Sequence, residues 1–507
     1  MTDLSPLVAL VSRHLRHDDA DPLWPDRDRM LLGGGACPTI PGPAGMAFGA
    51  ALGMAMAERL LAARFGRSLV DHRTWLLADA AELAAGTAHE AASIAGTGQL
   101  GRLIVLAIVP PAESKALARF AALGWNVRKL EVLGQKIADA AISAAVRSRK
   151  PTLIAYVGKE QAARQPDQAA SHGAGARRAW LKRLRRHAQS ELFGNAAAGR
   201  IAVLWPPSIS ATATPVHAVG AAIARLAPSL PELLVLPPEH GAAPHADPSS
   251  LKNLCWAGRS QAEAAALLGV ALHGGLLPVG RFTMRDAEAV RPALRAAAAL
   301  NLRSVHLLTE AGPACPIGGL RAGWRSMRNV MVLRPADAAE STECLALALR
   351  RTAGPSLLLL ADHLGAALPE ASPRACARGG YLVIDPPRRD ATLIASGPEL
   401  HLALALHAAL AKHGIHAGVV SVPCWDLFAA QDPSYRGAVL GAAPRIGLES
   451  GAGGGWAQWL GPEGLFVDTG GTEDASVLLS VLTRHLRRNA AILENREALL
   501  ESHTAFD

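Results

Sequence analysis

Cysteine is scarce and scattered: the six in the chain, Cys37, Cys255, Cys315, Cys344, Cys376 and Cys424, form no C-x-x-C pair. That spacing excludes a zinc ribbon or a disulfide framework and fits reduced thiols, so a cytoplasmic protein is expected. Charge is also sparse, with Asp, Glu, Lys and Arg making up 19% of the residues. Long apolar runs are missing as well. The longest, from Ala44 to Ala57, lies between Pro43 and the pair Glu58-Arg59. It is too short and too rich in Gly and Ala to cross a bilayer, which predicts a buried helix and no membrane partner. The first twenty residues carry Asp3, His14, Arg16, Asp18 and Asp19 without a sustained apolar core, so no secretory signal is expected.

What is present is length and small residues. A chain of 507 residues exceeds one ordinary core and predicts two or three domains. Half of it is hydrophobic, much of that Ala, which points to a compact, helix-rich fold. The net charge of +8 is spread along the chain and speaks to solubility more than to a nucleic-acid partner. The stretch from Ala257 to Gly280 organises the whole: a loop, a small-residue helix, and a break at Gly274-Gly275. Elsewhere short apolar strands such as Met30–Leu32, Thr74–Leu77 and Leu100–Leu106 alternate with helical segments, the signature of an α/β chain. Arg177, Arg178, Lys182, Arg183, Arg185 and Arg186 form the densest basic run. With no aromatic or Gly-rich RNA signature beside it, a solvated linker helix is favoured over a nucleic-acid surface.

Several of these phrases resemble transketolases. The helix ending in Ala271-Leu-His-Gly-Gly275 is similar to that family's GLALHGG. Asp21 to Arg29 is similar to its WPxRDRF phrase, and Gly42-Pro-Ala-Gly45 to the opening of its GPLGQG helix. Arg334-Pro-Ala-Asp337 matches RPAD, and Ser421 to Leu440 matches SMPSWELFDAQDxxYRxSVLP nearly letter for letter. The resemblance covers Leu7 to about Arg488. It implies three doubly wound α/β domains: 1–170 of the diphosphate-binding type, a basic linker 171–211, 212–368 of the pyrimidine-binding type, and a C-terminal domain 386–507. It also implies a homodimer, or a heteromer with an active transketolase paralogue.

The working residues depart from that pattern. Ser260 stands at the position of the family's activating Glu, and a hydroxyl has the wrong acidity to protonate an aminopyrimidine. Glu263, one helical turn on, is a rescue candidate weighed against a structural role. Asp79 follows a strand at the family's metal- and diphosphate-binding place, weighed against a helix N-cap. Pro110 replaces a metal-ligating Asn, and Thr283 and Asp286 replace two Phe residues, which would add an unpaired charge. The glycines at the start of the Gly42 helix could admit a phosphate, although tight packing is the preferred reading. His172 and Arg436 sit where the family binds a sugar phosphate, leaving such a ligand open. From these losses the expected protein is a catalytically degenerate transketolase-like paralogue, a pseudoenzyme carrying neither thiamine diphosphate nor magnesium. The alternatives are an active transketolase of the pentose phosphate pathway, with thiamine diphosphate and magnesium, moving a two-carbon ketol unit between sugar phosphates, and a polyanion-binding module built on the basic linker.

Overall fold

The computed structural model describes residues 2–34, 38–132, 135–158, 173–206, 213–237, 258–310, 318–363, 368–369, 374–472 and 474–488. The chain divides into two compact units, one holding 1–203, 226–305 and 352–355, the other 204–225, 306–351 and 356–507. The fold class is α/β, as the sequence predicts.

In the first unit, β1 (Arg29–Gly33), β2 (Thr74–Ala78), β3 (Leu103–Val109), β4 (Asn126–Leu130) and β5 (Thr152–Val157) form a parallel sheet in the order β1-β2-β3-β5-β4. Every residue of β2 and β3 is buried, so these strands read as unbroken apolar runs, as central strands of a parallel sheet must. The strands are slightly offset from the predicted ones: the third begins at Leu103 because residues 100–102 turn before it. Two further strands of this unit, β6 (Leu233–Leu236) and β7 (Leu277–Thr283), also pair in parallel.

Two helices of small residues lie at the heart of this unit. The helix Met46–Phe65 is the predicted buried one, and its length and composition alone would let it cross a membrane. Its apolar window is 89% buried inside the protein, which makes it a core helix. It packs on the helix Ser260–His273 at backbone distance. A methyl group on Gly53 would lie 2.0 Å from the Ala266 carbonyl oxygen, and one on Gly269 would lie 2.0 Å from that of Ala50. These glycines serve close approach rather than ligand access. The amides at the start of Met46–Phe65 are already taken: Glu82 Oε2 accepts from Gly45 N at 2.7 Å and Oε1 from Phe48 N at 2.8 Å. The possibility of a phosphate there is thereby excluded.

The basic run also differs from expectation. It lies on a helix, Gly173–Arg186, whose Trp180 is buried against Trp24 and Phe193. Arg177 pairs with Asp21 at 2.7 Å, and Arg183 Nε donates to the Ser68 carbonyl at 2.9 Å. Part of this segment is therefore docked on the first unit instead of being a wholly solvated linker.

The second unit carries β8 (Val305–Glu310) from His306 onward, with β9 (Met331–Leu333) and β10 (Ser356–Ala361) paired in parallel. Its mixed sheet runs β11-β13-β12-β14-β15, where β11 (Tyr381–Ile384) is antiparallel to β13 (Ala417–Ser421). The remaining strands, β12 (Ala391–Ala395), β14 (Arg445–Glu449) and β15 (Leu465–Asp468), are parallel.

Candidate active site

Ligands of parallel sheets collect at the carboxyl ends of the strands. In the first unit that edge is occupied by Asp79 after β2 and Pro110 after β3. Asp79 Oδ1 accepts from Glu82 N at 2.9 Å and caps the short helix Ala80–Ala84. The side chain thus does the work of an N-cap, one of the two roles the sequence left open for it. Next to it a cleft of about 370 Å³ is lined by Leu83, Val109, Glu113, Lys115, Arg119 and Phe120, among others. Arg119 donates to the Leu83 carbonyl at 3.2 Å, while its buried Nε has no hydrogen-bond partner. Burial lowers the proton affinity of this guanidinium, the expected response of a cation held out of water. Lys115 and Arg119 outnumber Glu113, and a cleft with a net positive charge and apolar walls suits a phosphorylated group. Sequence reasoning missed Lys115 and Arg119 because they follow Pro110, where the family's motif stops.

The helix Ser260–His273 starts beside this edge of the fold's first unit. Its opening is pinned by the helix Gly86–Thr97: Glu90 Oε2 accepts from Ala262 N at 3.0 Å, and Thr87 Oγ1 donates to Gln261 Oε1 at 2.8 Å. Ser260 Oγ donates to Asp286 Oδ1 at 2.5 Å. Asp286 Oδ2 in turn accepts from Thr283 N at 3.0 Å and from Thr283 Oγ1 at 2.8 Å. The expectation that Asp286 adds an unpaired charge is wrong, because three donors converge on its carboxylate. Burial alone would raise its pKa, but the hydrogen bonds from Ser260 and Thr283 outweigh it and hold the group below the usual carboxylate range.

Glu263 is the opposite case. It is only 5% exposed, and its Oε1 has no hydrogen-bond partner. Burial, then repulsion from Asp286, pushes its pKa up to about 8, against smaller opposing effects from the Arg281 amide and guanidinium. Two carboxyls near Ser260, Glu263 one helical turn along the same helix and Asp286 hydrogen-bonded to it from the turn after β7, are therefore set apart in acidity, the first proton-bearing and the second ionised. Separated pairs of this kind are what acid–base chemistry uses.

The other predicted site residues are not gathered here. His172 lies outside the described residues. Arg436 is half-buried on the helix Pro433–Leu440 of the second unit, where its Nη1 donates to the Ala429 carbonyl. Among the described residues no group of three or more His, Cys, Asp or Glu could hold a metal ion.

The second unit buries a different kind of cluster. Arg334 meets Glu399 at 2.5 Å and Glu310 at 3.3 Å, Arg321 meets Glu310 at 3.0 Å, and Arg325 grips Glu449 through two contacts of 2.8 Å. The cavity beside it, about 30 Å³, has room for roughly one water molecule.

Comparison with known proteins agrees with this architecture. Residues 35–191 match the family model described as transketolase, thiamine diphosphate binding domain, and residues 379–471 match the transketolase-like C-terminal domain. A transketolase of Cereibacter sphaeroides is 32% identical over 91% of this chain and 89% of its own length. The chain belongs to the transketolase family. The chromosomal transketolase of Cupriavidus necator is likewise 32% identical, covering 89% of this chain and 87% of its own. Among solved structures, transketolase from Leishmania mexicana superposes with a TM-score of 0.83 at 23% identity, covering 97% of this chain and 93% of that one.

The family match corrects one expectation. A chain without a coenzyme was expected from the lost motifs, yet its first domain matches a thiamine diphosphate binding family and its near full-length relatives are transketolases. The reading from lost motifs gave too much weight to single positions such as Pro110. Lys115 and Arg119, which line a cleft at the same edge of the sheet, had no part in that reading.

Proposed function

We propose that this chain is a transketolase-family protein that keeps the thiamine diphosphate fold but is catalytically degenerate in ketol transfer. The observation that carries this reading is the 2.5 Å hydrogen bond from Ser260 to Asp286. At the place where the family's activating carboxyl belongs, the chain offers a hydroxyl already committed to a neighbour. That neighbour is ionised at neutral pH and has no proton to give. When bound, thiamine diphosphate supplies a carbon nucleophile for cleaving and forming bonds next to a carbonyl. Lys115 and Arg119 are the residues suited to its diphosphate. The reading includes a homodimer in the cytoplasm, and the buried free thiols Cys344, Cys376 and Cys424 are compatible with that compartment.

A coupled assay with xylulose 5-phosphate and ribose 5-phosphate, thiamine diphosphate and magnesium tests this proposal. No turnover is expected from the wild-type chain even at high enzyme concentration. Steady turnover at a rate typical of enzymes, on the order of 1 per second or more, overturns it.

One observation favours a second reading, an active transketolase that uses a displaced acid. Glu263 holds a proton near neutrality and has a carboxyl oxygen without a partner. Under that reading the assay gives turnover, and Glu263→Gln abolishes it while thiamine diphosphate still binds.

A further inference from the structure

At the other end of the first sheet, where the strands begin, the chain builds a second cleft that ketol transfer does not use. It encloses about 580 Å³, within the range of small-molecule sites. Its walls come from the starts of β2, β3 and β5, with Arg73 just before β2, Arg102 just before β3, and Arg147 and Arg149 in the turn that leads into β5. The far wall is the last part of the helix Met46–Phe65 and the turn after it, which supply Arg59 and Arg67. Six arginines thus face two carboxylates, Glu58 and Asp71.

The charges inside do not balance. Asp71 is shared by Arg67 and Arg102, and Glu58 is engaged by Arg67. Arg147 and Arg149 are exposed at the rim and have no carboxylate partner among the described residues. Arg73 donates through Nη2 to the Val146 carbonyl at 3.2 Å, but its buried Nε has no hydrogen-bond partner. Burial lowers the proton affinities of Arg73 and Arg59; Asp28 and Glu58 respectively oppose this, and the neighbouring Arg102 and Arg67 add to it. The turn is held in place: a methyl group on Gly101 would strike the Arg149 backbone at 2.7 Å, which keeps the starts of β3 and β5 in contact. Crowded, partly buried guanidinium groups around a fixed cavity are what an oligo-anion neutralises. Planar guanidinium forks match phosphoryl oxygens two at a time.

We propose that this arginine cleft is a binding site for a compact phosphate-rich small anion, such as a triphosphate group, separate from the coenzyme edge of the same sheet. The five residues of β2 stand between the two edges, so an anion here leaves the carboxyl-end cleft open. Glu58 and Asp71 set the orientation by holding Arg67 and Arg102 on one side, which leaves Arg73, Arg147 and Arg149 to take the ligand.

Isothermal titration of the full chain with inorganic tripolyphosphate tests the site. Saturable binding is expected at one ligand per chain, weakening as salt rises. The surface double variant Arg147→Ser/Arg149→Ser should lower affinity by about tenfold or more, the loss expected when charge-assisted hydrogen bonds are removed. The triple variant Arg183→Ser/Arg185→Ser/Arg186→Ser, on another basic surface, should bind as wild type does. A matching wild-type circular dichroism spectrum and melt for each variant exclude misfolding as the cause. Absence of saturable binding, or equal losses in both variants, overturns the proposal. A single-stranded RNA oligonucleotide that displaces tripolyphosphate and loses more affinity in the rim variant would also overturn it, by making the cleft part of a nucleic-acid surface. None of these outcomes depends on ketol transfer, so failure here and failure of the proposed function are told apart.

Discussion

Both units bury carboxylates, and the arginine cluster of the second treats them in the opposite way to the start of the helix Ser260–His273 in the first. In the second unit Glu310 and Glu449 each sit against arginine: burial would raise both, yet Arg334, Arg321 and Arg325 pull them down, Glu449 to about 2. Arg334, opposed by burial, is held above its ordinary range by Glu310, Glu399 and Glu449. At the start of the helix Ser260–His273 no cation stands close enough to do this, and Glu263 rises to about 8. Glu340 lies between the extremes. It accepts from Tyr381 at 2.7 Å, from Ser421 at 2.5 Å and from the Ala336 amide at 2.7 Å, and burial lifts it to about 7. Neutral donors restrain a buried acid only in part, and one half-exposed cation does little more, since Glu58 beside Arg67 is still lifted by burial to about 7, whereas the arginine cluster holds its acids ionised. A carboxyl buried among several cations is structural, and one like Glu263, buried without them and with an oxygen lacking a hydrogen-bond partner, is a candidate for chemistry.

The largest effect should come from breaking the compensated cluster. Arg334→Met leaves Glu310, Glu399 and Glu449 facing one another, and unfolding in urea should show a loss of about 3–5 kcal/mol. A loss under about 1 kcal/mol would mean that solvent reaches the cluster and that the contrast between the units is smaller than described.

The pH dependence should then differ in sign. Glu263 has a folded pKa of about 8 against 4.5 in a model peptide. Between those values the folded chain keeps a proton that the unfolded chain has lost, so this group makes stability fall as pH rises through the window. Glu449, at about 2 against 4.5, contributes stability above 4.5 that is lost as pH falls toward 2. Melts of Glu263→Gln should therefore show a shallower decline up to pH 8, the remainder coming from Glu58 and Glu340 at about 7, and keep the acid-side decline. An unchanged alkaline side would show that Glu263 is ionised at neutrality.

Smaller effects should separate caps from chemistry. Asp79→Ala should cost about 1 kcal/mol in a urea melt through loss of the cap to Glu82 N. Ser260→Ala should cost about 1 kcal/mol or less and raise the Asp286 pKa toward the ordinary carboxylate value, since one of its donors is gone. If Ser260→Ala instead leaves the Asp286 titration unmoved, the short hydrogen bond is not what holds that carboxylate ionised.

Much of the fold was legible because small residues and β-branched runs act locally. The break at Gly274-Gly275, the buried helix from Met46 and the strands Arg29–Gly33 and Thr74–Ala78 were all expected near where they stand. The N-cap role of Asp79 was weighed correctly because capping depends on residues three apart. What could not be read depends on partners distant in sequence. Asp286 meets Ser260 across 26 positions, and that contact turned an expected unpaired charge into a hydrogen-bonded one. Glu82 reaching back 37 positions to Gly45 closed a helix end that the glycines alone left open. Lys115 and Arg119 gained a site only when β3 and the helix Ala80–Ala84 formed the cleft around them.

The most direct test of the account is a titration of the Glu263 and Asp286 side-chain carboxyls by carbon-13 NMR, with Glu263→Gln and Asp286→Asn used to assign the two signals. The account predicts one carboxyl titrating near pH 8 and the other below its ordinary value of 3.8. If both titrate together near pH 4, as ordinary carboxylates do, the split pair does not exist and its chemistry falls with it.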